Sequence, residues 1–361
     1  MGIVQEETDI LYAYWLANIS GVGSKTIHQL YKYCGSAKAI YHMTGRELQK
    51  LYGITENAAA RISDAKKKWN LDNEWEQLTR RGVSFVSLEQ RTYPGRLRHL
   101  YDPPYGLYYI GQLPPDDLPS AGVVGARSCS GYGKQMARRI GKCLGSNDVS
   151  VISGLARGID GYGHEGALEG DGRTYAVLGC GVNVVYPPEH GPLYEQIAAH
   201  GGILSEYPPD MPPAPGYFPM RNRIIAGLSD ALIIIEAKEK SGSLITADCA
   251  LEQGKDVYAV PGRITDPVSA GCNHLIRQGA GILLSPEEVV SELGLLSEKN
   301  KLTLEKSQRL VYSCLDLHPK SMEEISRETA LDPVTLAQIL DALEERGLVQ
   351  ETWKNHYISV N

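Results

Sequence analysis

A doubly wound α/β domain between two small, mostly helical domains is the architecture that these 361 residues predict. Three observations predict it. First, short apolar runs recur at Val83–Leu88, Gly122–Val124, Val149–Ile152, Tyr175–Leu178, Ala231–Ile235 and Val257–Val260. Second, helical stretches such as Lys134–Leu144, Arg221–Leu228, Leu244–Gln253 and His274–Gln278 lie between them. Continuous apolar strands alternating with helices imply a mostly parallel sheet covered on both faces, with its ligand outside the carboxyl ends of the strands. Third, the chain on either side of this alternation reads as helix, which sets the expected domains at 1–82, 83–291 and 305–361.

The bulk composition excludes several classes. With 42% hydrophobic and 22% charged residues and 38 glycines, the chain has a globular composition. No apolar run approaches the roughly 20 residues needed to span a bilayer, so no membrane association is expected. Met1-Gly-Ile-Val-Gln-Glu-Glu7 lacks the basic and apolar regions of a signal peptide, and the expected location is cytoplasmic. Cys34, Cys129, Cys143, Cys180, Cys249, Cys272 and Cys314 are odd in number and form no CxxC pair, against a disulfide framework or a zinc site. The net charge of −7 does not favour a polyanion, so any nucleic-acid contact must come from a local cluster of cations and amides.

In 1–82, Leu11–Leu16, the turn Ser20-Gly21-Val22-Gly23 and Thr26–Tyr33 read as helix, turn, helix, and Leu51–Thr55 leading into Glu56–Lys67 reads as a second copy. Such turns resemble helix-hairpin-helix (SAM-like) units, whose amides hold phosphate; a plain bundle corner using glycine for its turn is the equal alternative. After a polar linker at 292–304, helices are expected at Ser307–Leu315, Met322–Glu328 and Pro333–Arg346, the last capped by Asp332. A hairpin of Val349–Thr352 and His356–Val360 follows, which is the winged-helix order. Asp332, Asp341, Glu344 and Glu345 stand against Arg346 alone on the third helix, an acidic surface that phosphates repel, so a protein-interaction role is expected.

Four segments at one edge of the expected sheet carry the chemistry. Gly122-Val-Val-Gly-Ala-Arg-Ser-Cys-Ser-Gly-Tyr-Gly133 is a glycine-rich strand-to-helix turn, offering helix amides, the Ser128 and Ser130 hydroxyls and the Arg127 guanidinium to an anion. No Gly-Lys-Ser/Thr follows, so it is not a nucleotide P-loop, and no nucleotide hydrolysis is expected. Ser153-Gly154-Leu-Ala-Arg157-Gly158-Ile-Asp160 repeats the scheme on the next strand. That strand ends without the acidic residue that would hold a ribose, so a dinucleotide fits poorly. Asp160 and His164 lie i,i+4 on a helix with no third ligand, and capping and packing are their expected roles. Tyr217-Phe218-Pro-Met-Arg221-Asn222-Arg223 places aromatic rings beside cations, a platform for bases and phosphates; a buried Phe218 with solvated arginines is the alternative. Ser241-Gly242-Ser243 opens a third helix at the same edge.

These motifs resemble, in order, those of the DNA-processing-A (DprA/Smf) family: Gly125-Ala126-Arg127, Ser153–Asp160, Phe218–Ala226, Ser241–Thr246, Tyr258-Ala-Val-Pro-Gly262 and Gly271-Cys-Asn-His-Leu-Ile276. The resemblance covers about residues 85–290. It implies an extended Rossmann-like domain, with no cofactor and no catalysis, that binds and protects single-stranded DNA and loads the RecA recombinase in natural transformation and recombination. The family's Gly-Ser/Thr-Arg turn has Ala126 in its middle position here, and its Tyr-Pro-Lys stretch is Tyr186-Pro187-Pro188-Glu189. The resemblance also implies a homodimer formed by Asn273, Ile276, Arg277 and Ile282; inward packing of both isoleucines is the alternative. A different class, the nucleotide-binding phosphoribohydrolases, would require a Glu three residues after Thr246, where Cys249 stands.

Overall fold

Valine and isoleucine occupy consecutive positions of the central strands, so the sheet they form must be covered on both faces. The computed structural model, which describes residues 2–293, 306–315, 319–345 and 348–359, has that arrangement. The chain forms two compact units, Met1–Leu295 and Leu296–Asn361.

The first unit opens with six helices: α1 (Gly2–Ala17), α2 (Ser24–Cys34), α3 (Ala37–His42), α4 (Gly45–Gln49), α5 (Glu56–Lys68) and α6 (Leu71–Arg80). Polar side chains start four of them: Ser36, Thr44, Thr55 and Asn70 each accept an amide of the first turn. The α/β part then runs β1 (Ser84–Ser87), α7 (Gly95–Arg98), β2 (Gly106–Gly111), β3 (Ser120–Val124), α8 (Gly131–Ser146), β4 (Ser150–Ser153), α9 (Ile159–Glu169) and β5 (Thr174–Val177). A 3₁₀ turn at Pro188–His190 leads into α10 (Gly191–His200), β6 (Gly202–Ser205), α11 (Tyr217–Leu228), β7 (Ala231–Ile234), α12 (Gly242–Glu252), β8 (Asp256–Ala259), α13 (Ala270–Arg277), β9 (Gly281–Ile282) and α14 (Pro286–Glu292).

The nine strands lie in the order β1-β2-β6-β5-β4-β3-β7-β8-β9. Strands β3 to β9 are parallel, while β1 and β2 run antiparallel at one edge. Neighbouring residues part to opposite faces. Val123, Val151 and Ile233 pack with α8 and α9, whereas Val124, Ile152, Leu232 and Ile234 pack with α11 and α12. The sequence predicts neither β2 nor β6, whose apolar residues are bounded by glycines that read as turns.

The segment expected to stand alone, 1–82, shares its core with the sheet. Trp15, Leu16, Leu30 and Ile62 join one cluster with Phe85, Tyr108, Ala176 and Ile203. Each fully buried large apolar side chain contributes about 2 kcal/mol, so this seam is a major part of the unit's stability.

In the second unit, α15 (Lys306–Ser313), β10 (Lys320–Ser321), α16 (Met322–Thr329), α17 (Pro333–Glu345), β11 (Val349–Trp353) and β12 (His356–Ser359) enclose a core containing Val311, Ile325, Leu336, Leu340 and Tyr357. β12 lies between β10 and β11. Asp332 accepts the amides of Val334 and Thr335, as the sequence predicts. The expected linker at 292–304 and the ends Arg346 and Val360 fall almost wholly outside the described residues. Among those described, no helix is long and apolar enough to cross a membrane.

Asp160 and His164 act as the sequence predicts. Asp160 accepts the Gly154 amide at 3.1 Å. The Thr174 hydroxyl donates to the Val151 carbonyl, so at 2.6 Å from it the His164 Nδ1 must be the donor. His164 Nε2 is then an unprotonated, buried atom without a partner. Burial lowers the His164 pKa from 6.5 to about 3. The unfolded chain takes up a proton near pH 6.5 that the folded chain refuses until near pH 3. The contribution of this neutral imidazole is therefore complete above pH 6.5 and declines as the pH falls below it. In urea titrations at pH 7.5 and 5.5, a His164→Asn variant is expected to lose about 1 kcal/mol less on acidification than the wild type.

Candidate functional site

The strand order reverses between β3 and β7: from β3 the chain winds outward through β4, β5 and β6, then returns to β7 on the other side. Loops on the two sides leave the carboxyl ends in opposite directions and open a crevice at that point. A cavity of about 600 Å³ lies there, lined by the loop after β3, the start of α11, the loop after β7 and the start of α12. A narrow cleft of about 20 Å³ continues it past the loops after β4 and β5.

The structure brings most of the sequence-predicted residues to this one place. Gly125, Ala126, Arg127, Ser128, Phe218, Arg221, Asn222, Ser241, Gly242 and Ser243 line the wide cavity, and Gly154 and Arg157 line the cleft. Arg127 is exposed, and its guanidinium carbon sits 5.3 Å from the centroid of the Phe218 ring. Tyr186 packs on Phe218 at 5.8 Å with the rings inclined by 30°. Arg127, Phe218 and Tyr186 thus form one stacked layer beside the cavity, a cation–π contact reinforced by aromatic packing. Tyr217 instead packs on Tyr207, at 4.3 Å.

Arg221 forms the floor. It is 5% exposed, and Nη1 donates to the carbonyls of Gly154, at 2.9 Å, and of Val177. Nε donates to Asn222 Oδ1 at 3.2 Å, and Asn222 in turn donates to the Gly242 carbonyl, tying α11 to the start of α12. Burial lowers the Arg221 pKa to about 10, against the opposing pull of Asp160. It stays cationic at neutral pH. Burial likewise pushes the Asp160 carboxyl up, countered first by Arg221. The buried cation is thus held by carbonyls and offset by the neighbouring Asp160 carboxylate, and both line the cavity.

Four expectations are corrected, and one is qualified. Ser153 is fully buried and its hydroxyl donates to the Val123 carbonyl at 2.5 Å, so it joins β4 to β3 and faces no ligand. Ser130 gives both its amide, at 2.8 Å, and its hydroxyl to the Glu236 carboxylate, so the α8 N-terminus already holds an anion. Arg223 lies off the cavity, paired with Glu206 at 2.6 and 2.8 Å. Gly158 serves by conformation: its φ is +76°, and it packs against the carbonyls of Ala126 and Arg127. Arg157 reaches the cleft but is paired with Glu189.

Sequence reasoning missed Lys238 and Lys240, exposed on the cavity rim after β7, and the buried Glu236. The rule that ligands bind at carboxyl ends beside a switch point would have found the lysines, because they directly follow the strongest apolar strand.

The dimer candidates gather at the β9 edge. Ile282 is 51% exposed and Arg277 is exposed, while Ile276 is half-buried and packs against the core. Asn273 bonds the Gly262 backbone at 3.2 and 3.0 Å, stitching the loop after β8.

The Gly158 geometry sets a test of the site's frame. A Cβ there would stand 2.2 Å from the Ala126 carbonyl in a left-handed backbone. Gly158→Ala is expected to cost about 2 kcal/mol of stability in urea unfolding, because two loops of the site would have to part.

Comparison with known proteins agrees with the site's motifs. Residues 84–294 match the family model described as DNA recombination-mediator protein A. Protein Smf of Synechocystis is 36% identical over 288 residues, covering 78% of this chain and 72% of the relative. The DNA processing protein DprA of Bacillus subtilis is 42% identical over 213 residues, covering 59% of this chain and 72% of the relative. Among solved structures, DprA from Streptococcus pneumoniae superposes with a TM-score of 0.70 at 34% identity, covering 78% of this chain and 97% of its own. The structure describing the single-stranded DNA binding mode of DprA from Helicobacter pylori gives 0.53 at 32% identity, covering 58% and 95%. With the glycine-rich turns, the Arg127–Phe218 stack and the β3–β7 crevice all inside the matched span, the chain belongs to the DNA recombination-mediator protein A family, the DprA/Smf proteins.

Proposed function

We propose that the chain binds single-stranded DNA along the β3–β7 crevice and passes it to a RecA-type recombinase. The Arg127–Phe218–Tyr186 layer carries this reading, because it sets a stacking surface directly beside the Arg221 floor and the Lys238–Lys240 rim. Unpaired bases offer π faces to such a layer, and their phosphates pair with the cations. A duplex hides those faces. The single-stranded DNA named for the Helicobacter pylori relative fits the same reading.

The hydrolase alternative finds no support at the position it needs. Cys249 stands there on α12, and burial, with Glu252 and Asp248 nearby, raises its thiol pKa. A protonated thiol beside the core is a poor general base. The second unit, with its acidic α17, suits a winged-helix module that contacts protein, and the helical turns near Gly21 and Gly53 remain candidates for phosphate.

Fluorescence titration with an oligonucleotide, single-stranded and as a duplex at the same salt, tests the proposal. Tighter duplex binding overturns it. Arg127→Ala is expected to weaken single-strand binding by about tenfold, as loss of a charge-assisted contact implies. Lys354→Ala in the second unit should leave it within about twofold.

We further propose a homodimer through the β9 edge, with Ile276 and Ile282 at its centre and Asn273 and Arg277 at its rim. A two-fold contact would place two crevices on one strand and raise avidity. In light scattering, the wild type is expected as a dimer and Ile276→Glu as a folded monomer; a wild type that stays monomeric at tens of micromolar rules the interface out.

A further inference from the structure

Three features of the crevice meet on Glu236, a residue that belongs to none of the motifs. It follows the end of β7, is 4% exposed, and holds a left-handed backbone with φ +77°. A non-glycine residue keeps such a conformation only where its surroundings fix it. Its backbone carbonyl accepts the Ala126 amide at 2.8 Å. Its carboxylate accepts the Ser130 amide at 2.8 Å and the Ser130 hydroxyl at the N-terminus of α8. One residue therefore holds the segment 126–130, which carries Arg127, at both ends.

The far side of the carboxylate shows that the place is built for it. A Cβ on Gly133 would stand 2.3 Å from Glu236 Oε2, so glycine at 133 leaves the carboxylate room to seat against the first turn of α8. The carboxylate lies at the N-terminal, positive dipole end of the 16-residue α8, bonded through the N-cap residue Ser130. Phosphate commonly occupies such a position in proteins of this architecture. Here the chain supplies the anion itself.

We infer that Glu236 is a positioning residue for strand binding: as a resident anion it fixes the 126–130 loop so that Arg127 stays stacked on Phe218. This rests on the single-strand reading of the same crevice. The strand's phosphates then go to Arg127, Arg221 and the lysine rim, and not to the α8 amides. Preorganising the loop spares the strand the entropy of ordering it.

The experiment compares wild type, Glu236→Gln and Glu236→Ala by hydrogen exchange of the free protein and by titration with fluorescent oligothymidylate. Ionic strength is held constant with chloride or formate. Glu236→Ala is expected to lose exchange protection at Ala126 and Ser130 and about tenfold in affinity. Formate, a free carboxylate able to enter the vacated position, should restore part of both; a general loss of fold would not respond. Glu236→Gln keeps an acceptor for Ser130 and should fall between the two. Unchanged exchange or unchanged affinity in folded Glu236→Ala overturns the inference, as does a loss that formate leaves untouched. Failure of the wild type to bind oligothymidylate would count against the strand reading, while the exchange data still decide whether Glu236 pins the loop.

Discussion

Parallel strands can be joined only by crossovers, and crossovers are right-handed. Winding outward from β3 through β4 and β5 carries α8 and α9 to one face; winding from β7 through β8 carries α12 to the other. Among the described residues no helix joins β3 directly to β7, and a gap opens at their carboxyl ends. The cavity, the Arg127 layer and the buried Arg221 all stand at it. The chemistry of the site is therefore set by the loops after β3, β4 and β7 together with the first turns of α11 and α12.

Carboxylates of the chain occupy several groups that look, in isolation, like phosphate ligands. Glu236 sits at the α8 N-terminus, Glu206 on Arg223 and Glu189 on Arg157. The three differ in strength for a physical reason. Glu236 is buried and bound by the amide and hydroxyl of Ser130, and Glu206 is about four-fifths covered; in such surroundings charge-assisted hydrogen bonds are strong. The Arg157–Glu189 pair is about half-exposed on both sides, where solvent and salt screen it and such pairs contribute roughly 0–1 kcal/mol. Arg157 is thus the most weakly held of the three, whereas Arg223 and the Ser130 amide are bound to covered carboxylates. A net charge of −7 gives the chain no general attraction for a polyanion, so the local pairing of each cation matters.

The N-terminal helices belong to the sheet's own layering. Tyr105 shows the seam: its hydroxyl meets that of Tyr31 on α2 at 2.8 Å, and its ring packs on Tyr31 at 5.6 Å. Ser24, at the start of α2, accepts the Tyr105 amide and donates to Glu206, the partner of Arg223. A continuous set of hydrogen bonds therefore runs from the first helical hairpin to α11, the helix that presents Phe218 and Arg221.

The sequence by itself determined the mostly parallel sheet, the positions of most of its parallel strands along the chain and the glycine-rich turns, because apolar runs, glycines and helix starts are local signals read within a few residues. It also determined which loops share an edge, since every carboxyl end of a parallel sheet points the same way. Tertiary structure alone decided which side chains on those loops face the crevice. Ser128 and Ser153 are equivalent as local patterns, yet one is exposed and the other donates into the sheet. Arg221 and Arg223 lie two apart on one helix, so they point about 200° apart around its axis, to the cavity and to Glu206. Glu236 was invisible for the same reason: its partners, Ala126 and Ser130, lie more than a hundred residues earlier, and only the pairing of β3 with β7 brings them within hydrogen-bond reach.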